Sequence, residues 1–340
     1  MAIVEKRALI LWGACVLNSV LKRFLKRFNP TQRDRSSEKI FVAAFGKHPG
    51  WDDHIDDIGL DTDVLITVKR TLYVQGIGGN VDSGRWDKLT NDQRIEEFDR
   101  LIFWFIDSCL LVGRMWSSQD GKGRKSYPFV VCIQCSKLPM RWILDNVLPQ
   151  LEKIKRACTS TNSAHDVRIS IQSSKQELRQ LAQQCKNSPD SIAMYPNALA
   201  EIAGHPEMGP DREGLFRVLY HIDREIGLPR PGMTKGKPSG STLLRLPVCS
   251  NTMPDDILLW SSFLLNTFGI TMSILVLVPS AKNWIDVIMG GSTELQLYCL
   301  RASPRVIPLT SHIPYSVGPE FIEHVNGLIQ ASQKQVSRRK

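Results

Sequence analysis

TLLRLPVCSNTMPDDILLWSSFLLNTFGITMSILVLV, residues 242–278, reads as a strand, a helix and a second strand in one run. Residues 242–248 are apolar and short, as a buried strand requires. Pro254 at the start of the next segment and Gly269 after it are the asymmetric punctuation of a helix, predicted over 255–268. The following residues predict strands at 271–278, 284–289 and 294–300. The longest uncharged stretch, 257–281, is interrupted by Ser261, Ser262, Asn266, Thr267 and Gly269. It therefore suits a buried helix and strand better than a continuous apolar bilayer span.

Upstream, Ile40–Phe45 and Tyr127–Cys135 read as buried strands, and helices are expected at about 61–75, 142–158 and 215–226. Gly76 to Asn80 reads as a turn. Thr90 and Gln93 have capping-box spacing, and Ile95, Phe98, Ile102, Phe105, Ile106 and Cys109 predict a buried helix over 95–112. Val167–Ile171 reads as a short strand, followed by a helix from Ser174 to about Cys185, with Ser174 and Glu177 as its cap. The Pro/Gly-rich segments 187–211 and 228–240 read as connections. The class is α/β, or α+β, in two lobes over 38–186 and 187–333.

The chain has 340 residues, of which 42% are hydrophobic and 23% charged, ordinary values for a folded protein. The net charge of +9 is concentrated at the termini: residues 1–37 carry +6 and 334–340 carry +4, leaving −1 over 38–333. A nucleic-acid-binding body would carry its basic stripe on the fold itself, so no nucleic-acid partner is expected. Within 1–37, Val16, Leu17, Val20, Leu21, Leu25 and Phe28 form a helical apolar seam opposite Lys22, Arg23, Lys26 and Arg27. Residues 16–28 could thus lie on an anionic membrane surface, or dock on the chain's own body. The short apolar stretch Ala8–Leu17 lacks a clean cleavage site, so export is not expected. Eight cysteines, most within apolar runs, suit a reducing compartment. The expected location is the cytoplasm, with peripheral contact at the inner membrane as the alternative.

The densest polar cluster runs from Gly46 to Asp57. His48, Asp52, Asp53 and His54 could ligate Zn, Mn or Fe and activate a water for hydrolysis. Against this, His48 and His54 are six apart across a Pro-Gly turn rather than four apart on a helix. A structured recognition loop, or a plain solvated one, is the competing reading. Cys132 and Cys135 form a C-x-x-C, but an i, i+3 pair on a strand diverges. Gly232 to Ser239 lacks the residue order of a phosphate loop. No cofactor and no catalytic residues are assigned.

Phe45-Gly-Lys-His-Pro-Gly-Trp-Asp-Asp53 resembles the G-K-x-P-x-x-G-D-F motif of the TagF/ImpM family, accessory proteins of bacterial type VI secretion. Ser118-Gln-Asp-Gly-Lys-Gly-Arg-Lys-Ser-Tyr-Pro-Phe129 resembles that family's S-x-D-x-x-G-R-x-Y-P-L segment. Gly46, Lys47, Pro49, Asp53, Gly123, Arg124, Tyr127 and Pro128 carry the likeness. Asp52 stands where the family has Gly and His54 where it has Phe, and one extra residue separates Arg124 from Tyr127. The resemblance covers about 40–185, is faint in 242–310 and is absent from 1–37. It implies a mainly antiparallel central sheet and a non-enzymatic regulator that binds other secretion components, such as a forkhead-associated scaffold protein. Its expected binding surface is Gly46, Lys47, Pro49, Trp51, Asp53, Gly123, Arg124 and Tyr127. By its own chemistry, Asp53 can accept backbone N–H bonds within its loop or pair with Arg124, and the pairing requires loop 46–54 and segment 120–128 to converge.

Overall fold

The computed structural model describes residues 38–185, 195–228, 240–250, 252–280 and 282–337. The expected amphipathic helix at 16–28, with Lys22, Arg23, Lys26 and Arg27, lies outside them. So do most of the 228–240 connection and the last three residues of the basic tail.

Seven strands form one sheet in the order β1-β4-β3-β2-β6-β7-β5, with every neighbouring pair antiparallel. They are β1 (Ile40–Gly46), β2 (Arg100–Ile106), β3 (Cys109–Trp116), β4 (Phe129–Cys135), β5 (Thr242–Pro247), β6 (Ile274–Pro279) and β7 (Trp284–Met289). The expected lobes 38–186 and 187–333 meet in this sheet, because β2 pairs with β6 from Arg100↔Pro279 to Phe105↔Ile274. Burial on both faces explains the near-continuous apolar strands. Along β1, Ile40, Val42 and Ala44 enter one core while Phe41, Ala43 and Phe45 enter the other. The C-x-x-C diverges in the same way: Cys135 belongs to the first core and Cys132 to the second.

The first core is covered by α3 (Met140–Thr159), α4 (Ala164–Gln184), α6 (Glu213–Ile226) and α7 (Met253–Phe268), following the short α1 (Asp63–Val68) and α2 (Gly79–Asp82) of the other face. Helix α5 (Ala198–Ala203) and α9 (Pro319–Ser337) complete the first face. The α1 and α2 segments flank a π-helical stretch, Lys69–Gly78, and together they cover the second core with α8 (Glu294–Leu297). Among the described residues, no helix is long and apolar enough to cross a membrane.

Several sequence expectations are corrected. Residues 95–112 form no helix; β2 and β3 are a hairpin closed by Asp107 and Ser108, both at positive φ (49° and 60°). A fully buried hairpin presents a continuous apolar run, whose spacing also matches a buried helix. Val167–Ile171 is helical: Val167, Ile171, Ser174, Leu178 and Ala182 make one buried stripe of α4, which is capped by Ser163 and not Ser174. Residues 294–300 form α8 and a 3-10 turn behind a Thr293/Gln296 capping box. Gly76 to Asn80 continues the helix. A Cβ on Gly76 would stand 2.1 Å from Leu297 Cδ1, so that glycine permits close packing, not a turn. Helix α9 had no counterpart among the expected elements.

Candidate functional site

Strand β1 leaves the sheet at Gly46, which is held at φ +118° beside the start of β4. The chain then doubles back, with Ile55 N–H donating to Gly46 O at 2.7 Å and Lys47 N–H donating to Pro128 O at 3.2 Å. The 46–54 loop and the 120–128 segment thereby meet at one end of the sheet. The Asp53–Arg124 pair forms, with Arg124 Nη2 at 3.1 Å from Asp53 Oδ1.

The centre of this junction is Asp120, a residue absent from the expected set. Its side chain is fully buried. It accepts from Lys47 Nζ at 2.6 Å, Arg124 Nε at 2.7 Å, and the backbone N–H groups of Lys122 and Arg124 at 3.0 Å each. Arg124 also donates to Asp52 O at 2.9 Å, and Gly121 N–H donates to Trp51 O at 2.6 Å, which ties the two segments backbone to backbone. An Asp accepting backbone N–H groups two and four residues on, with Gly123 at φ +79°, is a loop closed on its own first side chain. That spacing was the available signal for Asp120, since the sequence Asp-Gly-Lys-Gly carries it in full.

The electrostatics follow from these bonds. Burial works against ionisation of Asp120, and the hydrogen bonds from Lys47 and Arg124 outweigh it, holding the carboxyl well below the usual carboxylate range. For Asp53, burial again works against ionisation and is outweighed by the charges of Arg124, then His54 and Lys47, so its carboxyl is also lowered. A depressed folded-state pKa means stabilisation that is complete above the unfolded value of about 3.9 and lost as pH falls through the folded one. Protection of the Gly121 and Arg124 amides against hydrogen exchange is therefore expected to hold at pH 5 and to fall as the solution is taken below about pH 4. Asp120→Asn should weaken this protection at pH 5 and flatten its acid dependence. Unchanged protection in the variant would remove Asp120 from the centre of the loop.

The expected surface divides by exposure. Lys47 and Gly46 are buried, so they shape the surface from beneath and offer no contact to a partner, which corrects their assignment as binding residues. Asp53, Gly123 and Arg124 are exposed, while Pro49, Trp51 and Tyr127 are partly so. Trp51 is held from outside by Arg168, whose guanidinium carbon is 5.5 Å from the ring centroid.

The metal alternative is not assembled. Nε2 of His48 donates to Cys158 O at 2.8 Å and its Nδ1 accepts from Gly50 N–H at 3.0 Å, so both nitrogens are engaged in a neutral ring. Burial lowers its pKa, partly offset by the carbonyls of Cys158 and Thr161. His54 faces the other way, its ring packed edge-on to Tyr73 and Tyr127 with centroids 5.7 and 5.1 Å apart. Asp52 contributes its backbone carbonyl to Arg124, and Asp53 its carboxylate. Among the described residues, no three His, Cys, Asp or Glu side chains are grouped to hold a metal ion.

Two clefts flank the junction. One, of about 690 Å³, is lined by His48, Pro49, Trp116, Ser118, Ser126 and Asn162 with others. The second, of about 520 Å³, includes His54, Tyr73 and Tyr127 in its wall. Comparison with protein-family models gives no match, and comparison with curated proteins gives none either.

Proposed function

We propose that the chain is a non-enzymatic accessory protein of the TagF/ImpM kind, acting in type VI secretion by binding other components in the cytoplasm. A forkhead-associated scaffold protein is the partner class the resemblance suggests. The observation that carries the reading is the meeting of the two motif segments: exposed Asp53 and Arg124 pair at 3.1 Å above the buried Lys47–Asp120 bond of 2.6 Å. Pairs 71 and 73 positions apart in the sequence thus shape one patch of surface. A pre-shaped patch of charge beside Trp51 and Tyr127 favours recognition, because ordered side chains lose less freedom on binding.

The test is affinity capture from a strain carrying a type VI system. Asp53→Ala with Arg124→Ala should reduce captured secretion components by about tenfold, the scale of one lost charged contact at an interface. Circular dichroism should stay near wild type and the unfolding midpoint should fall only modestly: the exposed Asp53–Arg124 pair contributes little, while Arg124 also donates to the buried Asp120 carboxylate, which keeps Lys47 as a partner. Capture equal to wild type, or a wild-type chain that captures no secretion component, would overturn the reading.

A further inference from the structure

The second cleft is built from elements distant in sequence. The π-helical stretch Lys69–Gly78 supplies Tyr73 and Val74, the motif loop supplies His54, and the approach to β4 supplies Tyr127. A ten-residue π-helix offsets its side chains from the α register, and such distortions concentrate at functional sites. Here it brings the Tyr73 and Tyr127 centroids to 5.6 Å at a tilt of 40°. Buried Lys47, which is not part of the cleft wall, already stands 5.9 Å from the Tyr127 centroid.

Three carboxylates border these rings, and two are already matched. Asp56 pairs with Arg168 at 2.6 Å and Asp57 pairs with Lys69. Asp82 makes no ion pair among the described residues; its partner is the Tyr127 hydroxyl, which donates to Oδ1 at 3.4 Å. Val74, 54% exposed, adds an apolar surface at the margin. An exposed carboxylate without an ion pair among the described residues, the part-exposed Tyr127 ring and an apolar shelf in a cleft of about 520 Å³ complement one side chain well. A guanidinium lies flat on a ring, forks its N–H groups to a carboxylate and lays its aliphatic stem on apolar surface.

We infer that this cleft receives an arginine side chain of the partner protein, with Asp82 as its counter-ion and the part-exposed Tyr127 ring, backed by buried Tyr73, as its stacking wall. The inference rests on the proposed binding function and names the chemistry by which that surface selects its partner. The charge of Asp82 favours a cationic side chain over a neutral or anionic one at this position.

The test uses the full chain labelled with 3-fluorotyrosine, its six tyrosine resonances assigned through Tyr73→Phe and Tyr127→Phe. The probe is Nα-acetyl-arginine methylamide, with the citrulline counterpart as the neutral isostere. Saturable shifts of the Tyr73 and Tyr127 signals are expected with arginine, with binding about fivefold or more weaker for citrulline and for the Asp82→Asn chain. No saturable shift up to roughly 50 mM, a range that covers very weak complexes, would overturn the inference. So would equal binding of citrulline, or an unaffected Asp82→Asn chain. The two readings fail separately. Probe binding without capture of secretion components sinks the functional reading alone, and capture without probe binding sinks the arginine pocket alone.

Discussion

Asp286→Ala is expected to cost the fold about 3–5 kcal/mol, the loss typical when one member of a buried pair is removed. Arg245 on β5 and Asp286 on β7 are register partners, both with fully buried side chains. Two bonds join them, Nε to Oδ1 at 2.6 Å and Nη2 to Oδ2 at 3.1 Å. The guanidinium is further held by Ile307 O at 2.9 Å and lies 5.1 Å from the Trp284 centroid. A second buried cation, Arg100, has its pKa lowered by burial and is supported by the charge of Asp286. Without that carboxylate two guanidinium groups remain in a low-dielectric interior with one counter-ion gone. Urea unfolding of Asp286→Ala checks this, and a loss below about 1 kcal/mol would place the pair among contacts of little consequence. Replacing both partners, Arg245→Met with Asp286→Leu, should recover part of the loss, because a hydrophobic pair avoids desolvating charge, while Arg100 still lacks the charge of Asp286 and the Ile307 and Cys299 carbonyls lose their donor.

How far the sequence discloses this fold depends on whether a local pattern has one meaning. Ile40–Phe45 and Phe129–Cys135 are short, β-branched and bounded by Gly or Pro, and they are strands as expected. The β2–β3 hairpin was hidden because both of its strands are buried on both faces, so no alternation marks either one. Its turn, Asp107-Ser108, lacks the glycine that normally announces two positive φ angles. In α4, the alternating Val167, Ile169 and Ile171 imitate a strand, yet Ile169 is 54% exposed and the buried positions follow the helical period.

The site divides along the same line. The Asp53–Arg124 pairing was legible as one of two options, because each motif flanks a strand; that β1 and β4 are neighbours is a tertiary fact neither segment carries. Asp120 lies within the second motif segment, and its reach to the N–H groups of Lys122 and Arg124 is a local property of the sequence. The place of Tyr73 beside Tyr127 was not legible. It depends on the π-helical offset of a helix whose glycines read as a turn.

The two glycines of the motif segments should respond very differently to the same change. Gly46→Ala is expected to destabilise the chain by about 2–4 kcal/mol, combining the left-handed backbone cost with the overpacking cost. At φ +118° a Cβ would stand 2.2 Å from Pro128 O and 3.0 Å from Phe129 Cα, and backbone atoms of a paired strand cannot step aside. The displacement would fall on the Lys47 N–H to Pro128 O and Ile55 N–H to Gly46 O bonds, which hold the two segments together. Gly123→Ala meets no atom within 4 Å among the described residues and bears only the cost of φ +79°, about 1 kcal/mol. Thermal unfolding of the two variants should therefore separate them clearly, with Gly46→Ala much the lower. Equal midpoints would mean that the β1–β4 junction tolerates a shift that the packed register forbids. A Gly46→Ala chain that folds but loses capture, while Gly123→Ala retains it, would indicate that Gly46 acts on the partner surface through the shape of the backbone beneath it.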